Sequence, residues 1–307
     1  MHLLLLCCQP GLSVRYKIII TLHLVSGFGV PEIANALFMK EEAVKKAITR
    51  IKATLRASGL TMPGVLKKQL VQHRHVIHTI LYLLFNEGYK TTRRQGGINI
   101  DLCYEATRLL QLIAMEDPCH DAHALLSLMF LNVSRFPARI SARDEWLTLA
   151  QQDRRLWNRA LIGTGLFYLD KAGMENFPGQ FYIEALISSI HCTTERFEDT
   201  DWTKIAALYG QLEKMLPGDP VITLNRIIAE SYTGTVVGLA EELSGLEPLF
   251  TAGYGLLYWL TKAHLYQQEG EMSLVPGCYK EALAAARSQI DREFVQKKIS
   301  EFTRSQQ

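Results

Sequence analysis

The sequence predicts an all-α protein, with an N-terminal helix-turn-helix unit followed by a helical-repeat domain. Three observations carry this. Apolar residues recur at helical spacing almost throughout, as in Ile205, Leu208, Leu212, Met215 and Leu216, and strand-like alternation is nearly absent. Two helices near the basic end of the chain are separated by only a very short turn. From about residue 201 onward, helix signals return with a period in the mid-thirties.

The first element is a short helix at the start of the chain. It precedes a helix from Ser13 to about Val25, which ends in a tight turn at Ser26-Gly27-Phe28-Gly29. The next helix runs from Pro31 to Leu37, with proline in its first turn, where a missing N–H costs nothing. After another short turn a basic helix spans about Glu41 to Arg56. Gly59 and Met62-Pro63-Gly64 then end the unit, which we place at residues 1–60. Residues 61–100 form a linker and a connecting helix from Lys67 to Glu87, whose apolar side (Leu70, Ile77, Ile80, Leu81, Leu84) needs burial against the helical extension. Asn86-Glu87-Gly88-Tyr89 is expected to close that helix through a glycine turn.

Residues 101–307 read as the repeat domain. Helix pairs are expected at about 101–115 with 119–133, and at 152–170 with 178–192, with a longer connection around Phe136 to Ala150. Asp117-Pro118 and Asp219-Pro220 both look like an N-cap followed by proline at the first helical position. Helix starts near Asp219, Gly253 and Ser288 lie 34 and 35 residues apart, and ends at Gly234 and Gly270 lie 36 apart. That period, with two helices per unit, matches tetratricopeptide-like repeats. In the last unit Tyr279, Ala282, Leu283 and Ala286 place small residues where paired helices approach. The competing architecture is an irregular helical bundle.

Composition narrows the function classes. Hydrophobic residues are 48% and charged residues 21%, a mix that can bury a core. The longest apolar run is far below the ~20 residues of a membrane helix, so no membrane role is expected. Met1 to Cys8 has no basic n-region and only a short apolar run, and reads as a buried helix cut near its beginning. Six scattered cysteines without a C-x-x-C pair point to reduced thiols in a cytoplasmic protein. The net charge of +2 divides unevenly: residues 1–75 carry +8, so the remainder carries −6. A basic end on a mildly acidic body suggests a module that meets a polyanion, although charge alone also fits a solvated surface.

The basic helix holds the candidate site. Val44, Ala47, Ile48 and Ile51 form one stripe that can pack on Ile33, Ala34 and Leu37 of the preceding helix. Lys45, Lys46, Thr49, Arg50 and Lys52 lie largely off the stripe. Cations attract phosphate, and an arginine can also make a bidentate contact to guanine in the major groove. A solvated basic helix would look the same, and the spacing does not decide between them. His73, His75 and His78, and Cys119, His120 and His123, have no full ligand set at a zinc spacing and read as surface or packing residues. No Gly-rich nucleotide loop occurs, and no cofactor is expected.

Val25-Ser26-Gly27-Phe28-Gly29-Val30-Pro31-Glu32-Ile33-Ala34, followed by Ala43 to Lys52, resembles region four of extracytoplasmic-function RNA polymerase sigma factors, with Ala43 where threonine is common. Further landmarks resemble the branch of that family with a helical, tetratricopeptide-like C-terminal extension. They are Cys7 to Ser13, Leu81 to Tyr89, Gln152-Asp153-Arg154 with Trp157 to Ile162, Asp199 to Trp202, and Leu224-Asn225-Arg226. Together they span nearly all of the chain. Under this resemblance the departure is at the start, where the sequence is expected to begin inside the first helix of region four, without region two.

The resemblance implies a transcription-initiation protein whose helix-turn-helix reads the upstream, minus-thirty-five promoter element. Lys45, Lys46, Thr49 and Arg50 would then reach bases or adjacent phosphates, with Lys52 and Arg56 on the DNA backbone. It also implies contact with the beta flap of the RNA polymerase core through apolar residues; the helical-repeat reading adds an unknown protein or peptide as a partner of the extension. No chemistry is expected of this chain. Asn86, Glu87, Asp153, Arg154, Asp199, Asp201 and Trp202 could line a polar cleft, but capping, charge pairing and turn formation explain them equally, and no nucleophile–base pair can be named. The alternative is a helical-repeat interaction protein without sigma activity.

Overall fold

Helix-period patterning is realised as helices over most of the described residues. A computed structural model describes residues 12–24, 27–37, 39–57, 66–89, 99–141, 147–173, 178–234, 236–250, 255–286 and 288–306. Among these residues there is no strand, and the protein is all-α. The initial short helix, the Met62-Pro63-Gly64 stretch and Gly253 fall outside the described residues. The chain forms two compact units: residues 1–133 with 164–177, and residues 134–163 with 178–307.

The first unit opens with α1 (Val14–Leu24), α2 (Val30–Ala36) and α3 (Glu41–Ala57). Each ends within a residue or so of where local signals place it. The three helices pack mutually, with Ile19, Ile20 and Leu22 of α1, Ile33 of α2, and Val44 and Ile51 of α3 fully enclosed. The connecting helix α4 (Leu66–Tyr89) buries Leu70, Ile77, Ile80, Leu81 and Leu84. It packs on α1 and α2 as well as on α5 (Ile100–Glu116) and α6 (His120–Val133). The compact unit therefore runs across the divisions expected at residues 60 and 100, because one long apolar helix is shared by the elements on either side of it.

Two local expectations change here. Gly88 is not a left-handed turn; it lies in the last turn of α4 and is absent from the positive-φ glycines. It is a contact glycine, since an added Cβ would sit 2.7 Å from Cys103 Sγ and 3.0 Å from both Asn99 O and Cys103 N. The Asn99 N–H donates to Gly88 O across the same junction at 2.7 Å. Asp117 likewise does not cap α6, which begins after it. It ends α5, its N–H donating to Ile113 O, and its carboxylate takes a bidentate pair from Arg74 of α4 at 2.8 and 2.6 Å. The charge-assisted bidentate pair occupies that carboxylate, and α6 begins two residues beyond the position it would need to cap.

The second unit begins with 3-10 turns at Phe136–Ala138 and Leu149–Gln151, around the stretch expected as a connection, and at Arg154–Leu156, where the expected helix from about residue 152 would have begun. The α-helix α7 starts only at Arg159 and runs to Gly173, its residues from Thr164 on belonging to the first unit. Then come α8 (Gln180–Thr193), α9 (Trp202–Met215), α10 (Pro220–Ser231), α11 (Leu239–Ser244), α12 (Gly255–Glu269), α13 (Val275–Ala285) and α14 (Gln289–Ser305). Asp219 caps α10, accepting from Val221 N and Ile222 N, with Pro220 at its first position. Ser288 caps α14 through a reciprocal box with Asp291. Helices α10, α12 and α14 start 35 and 34 residues apart. Gly234 and Gly270, with φ of 90° and 83°, provide the left-handed residues after α10 and α12.

Packing in this unit is serial. One core joins Ile183 and Ile187 of α8 to Ile205, Leu208 and Leu212 of α9 and Ile222 of α10. The next joins Leu224 and Ile227 of α10 to Leu239 and Leu243 of α11 and Tyr258 and Leu265 of α12. The third joins Ala263 of α12 to Val275, Tyr279 and Ala282 of α13 and Val295 of α14. Each core thus spans only successive helices. Arg226 of α10 crosses between layers, pairing with Glu213 at 2.9 Å, Glu230 at 2.8 Å and also Glu242. Burial alone would lower its pKa, but Glu230 and Glu242 outweigh that and raise it.

Candidate nucleic-acid interface

Helix α3 sorts its residues by the helical period. Val44, Ala47, Ile48, Ile51 and Leu55 are buried, whereas Lys45, Lys46, Thr49, Arg50 and Arg56 are exposed. Glu41 and Glu42 sit in its first turn, favourably placed against the positive helix end. The exposed face is therefore acidic for one turn and basic beyond it.

The candidate contacts differ in how they are held. Lys45 Nζ pairs with Glu42 at 2.8 Å, and that hydrogen bond, with the Glu42 charge, raises its pKa. The pair is solvent-exposed, so a phosphate can replace Glu42 at little cost. Thr49 Oγ1 donates back to Lys45 O at 3.1 Å. Arg50 Nη1 donates to the Tyr16 hydroxyl of α1 at 3.3 Å. Lys52 is only half-exposed and its Nζ lies 3.1 Å from His23 Nε2 of α1. His23 Nδ1 is 3.0 Å from Phe28 O, which can only accept, so Nδ1 carries the proton and Nε2 accepts from Lys52. One imidazole thereby ties α1, the turn before α2, and α3 together. Lys45, Lys46, Thr49, Arg50 and Arg56 share the solvent side of α3, while Lys52 turns towards α1.

Sequence reasoning missed Tyr16 and His23. Their partners lie 34 and 29 residues away, and no local pattern marks them.

The polar landmarks divide between the two units. Asn86 and Glu87 lie in the first unit, Glu87 buried and Asn86 exposed. In the second, Asp153 caps the Arg154–Leu156 turn and pairs with Arg155, whose hydrogen bonds hold its carboxyl down to about 2. Arg154 is buried and donates through Nη1 to His191 O at 3.0 Å and Thr194 O at 2.6 Å. These are carbonyls at the C-terminal end of α8, where a cation is favoured. Its guanidinium also lies 4.9 Å over the Trp157 ring. Burial pushes the Arg154 pKa down, and pushes that of His191 down to about 3 with help from Arg135 and Arg154. Asp201 caps α9, accepting from Lys204 N at 2.9 Å, and Trp202 stacks on Tyr232 at 4.4 Å. Asp199 pairs with Arg196.

Of the histidine clusters, His73 and His78 of α4 are buried and His75 is exposed. His120 Nδ1 lies 2.6 Å from Ala172 O, and His123 sits against Tyr168. Among the described residues no group of three or more His, Cys, Asp or Glu could hold a metal ion. No helix among them is long and apolar enough to cross a membrane.

Residues 73–173, from α4 into α7, match a family described as a family of unknown function (DUF6596). The chain is also 34% identical over 301 residues to the uncharacterized protein R00370 of Rhizobium meliloti (strain 1021), an alignment covering 97% of this chain and 70% of that protein. No solved structure matches. With that identity sustained through both compact units, the chain belongs to the same protein family as R00370.

Proposed function

We propose that this protein acts in transcription initiation as a sigma-factor-like protein, reading the upstream, minus-thirty-five promoter element with α2 and α3. The observation that carries the reading is the exposed face of α3, where Lys45, Lys46, Thr49, Arg50 and Arg56 gather opposite a buried apolar stripe. A helix backed by two others and charged only on its free side suits the major groove, which admits one α-helix. The resemblance to sigma region four supplies the RNA polymerase core, at its beta flap, as the second partner, and the cytoplasm as the place of work. The helical domain after it would bind a protein or peptide that regulates the DNA-reading unit.

The alternative is a helical-repeat interaction module without sigma activity. Serial packing from α8 to α14 favours it, since repeat proteins bury each layer on its neighbours and bind partners along the stack.

A fluorescence titration of the full-length chain with short duplexes over a range of salt tests the first reading. Lys46→Ala should weaken binding to all sequences and reduce the slope of log affinity against log salt by about one. Binding that is absent, or independent of salt and of Lys46 and Arg50, would refute it and leave the interaction module.

A further inference from the structure

Helix α3 does not present its arginine alone. Tyr16 is half-buried on α1, and its hydroxyl receives the Arg50 Nη1–H bond at 3.3 Å. Two residues on, Lys52 is held by His23 of the same helix at 3.1 Å. Helix α1 thus contacts α3 through two of its cations.

The consequences for the two cations differ. Lys52 directs one of its three N–H donors to His23 and is tied to α1 by it. Arg50 keeps most of its donor capacity. A guanidinium has five N–H donors in one plane. Tyr16 engages one end at Nη1, and the Nε and Nη2 groups make no hydrogen bond among the described residues. That free edge carries two parallel N–H groups, the arrangement that meets guanine O6 and N7 together.

We propose, resting on the DNA-binding reading above, that Tyr16 is a positioning residue for base recognition. Its hydroxyl holds the Arg50 guanidinium so that the Nε–Nη2 edge faces a guanine in the major groove. An unheld arginine must surrender rotamer freedom on binding, and Tyr16 removes part of that cost beforehand. The charge of Arg50 attracts any phosphate whether or not it is held. Tyr16 therefore governs sequence preference, while the general attraction to DNA is independent of it.

The test uses the full-length chain as wild type, Tyr16→Phe, Arg50→Ala and the double variant. Wild type selects from a pool of short randomised duplexes. All four proteins are then titrated with the selected duplex and a scrambled one over a range of salt, and melted to compare folding. Tyr16→Phe keeps the ring and removes only the hydroxyl. It should bind the selected duplex about three- to tenfold more weakly, the effect of one unheld side chain, and bind the scrambled duplex as wild type does. Its salt slope should be unchanged. Arg50→Ala should lose the same guanine preference and about one unit of salt slope. The double variant should match Arg50→Ala, and this comparison cancels any small folding effect common to both backgrounds. If Tyr16→Phe discriminates as well as wild type while Arg50→Ala does not, Tyr16 does not position the arginine, although the DNA reading stands. If all four proteins bind both duplexes alike, the DNA reading fails and the inference fails with it.

Discussion

Two histidines, the buried His78 and the half-buried His191, one in each compact unit, should make the protein lose stability on mild acidification. His78 of α4 is 1% exposed, and burial pushes its pKa from 6.5 down to about 4, with Arg74 adding to the shift and Asp121 opposing it. Neither ring nitrogen has a hydrogen-bond partner among the described residues. His191 of α8 is pushed down to about 3 by burial and by Arg135 and Arg154. In both cases the folded pKa lies below the unfolded one. The unfolded chain therefore binds more protons between pH 6.5 and the folded value, and stability falls as the pH drops through that window. Going from neutral pH to about pH 5, each histidine should remove about 2 kcal/mol. His73 and His264, also lowered mainly by burial, act in the same direction. Urea unfolding at the two pH values measures the loss. Circular dichroism follows both units, and tryptophan fluorescence follows the second, which holds Trp157, Trp202 and Trp259. His78→Leu leaves no polar atom unpaired and should recover about 2 kcal/mol of the acid loss in the first unit. His191→Phe keeps an aromatic edge near Trp202, 5.4 Å from the native ring, and should do the same in the fluorescence transition. Variants that lose as much stability as wild type between the two pH values would refute the assignment of these rings as neutral in the folded protein.

Packing sets three further outcomes. Gly88→Ala should destabilise the first unit by about 1–3 kcal/mol, because its Cβ meets Cys103 and the Asn99 carbonyl; Cys103→Ala in the same chain should restore only part of this, as the backbone contacts remain, and equal stability of Gly88→Ala and wild type in urea would contradict the close approach. Arg226→Met should cost roughly 1–3 kcal/mol by leaving Glu213, Glu230 and Glu242 together without their cation, less than for a fully enclosed ion pair because the carboxylates are partly solvated; thermal melting with fluorescence detection checks it. Val295→Asp buries a carboxylate in the last core, so hydrogen exchange in α13 and α14 should accelerate while α4 to α6 keep their protection; uniform loss across both units would argue against serial packing.

What the sequence by itself determined is what repeats or acts within a few residues. The helical class, the buried stripe of α3 and the bounds of α2 and α3 come from the 3.6-residue period and from Pro31. The caps at Asp201 and Asp219 and the interval between α10, α12 and α14 are equally local. Tertiary structure decided which partner a polar group takes when several are within reach. Asp117 has the same proline after it as Asp219, yet it turns to Arg74, 43 residues away, because α4 brings a guanidinium to the end of α5. Gly88 looks like a helix stop, but the approach of α5 makes it a contact residue. Arg154 reads as a polar landmark, and only the position of α8 shows it closing a helix end. The same holds at the candidate interface. The basic face of α3 was legible from spacing, but the division between a presented Arg50 and a tethered Lys52 depends on where α1 lies, and no pattern short of the packed fold carries that information.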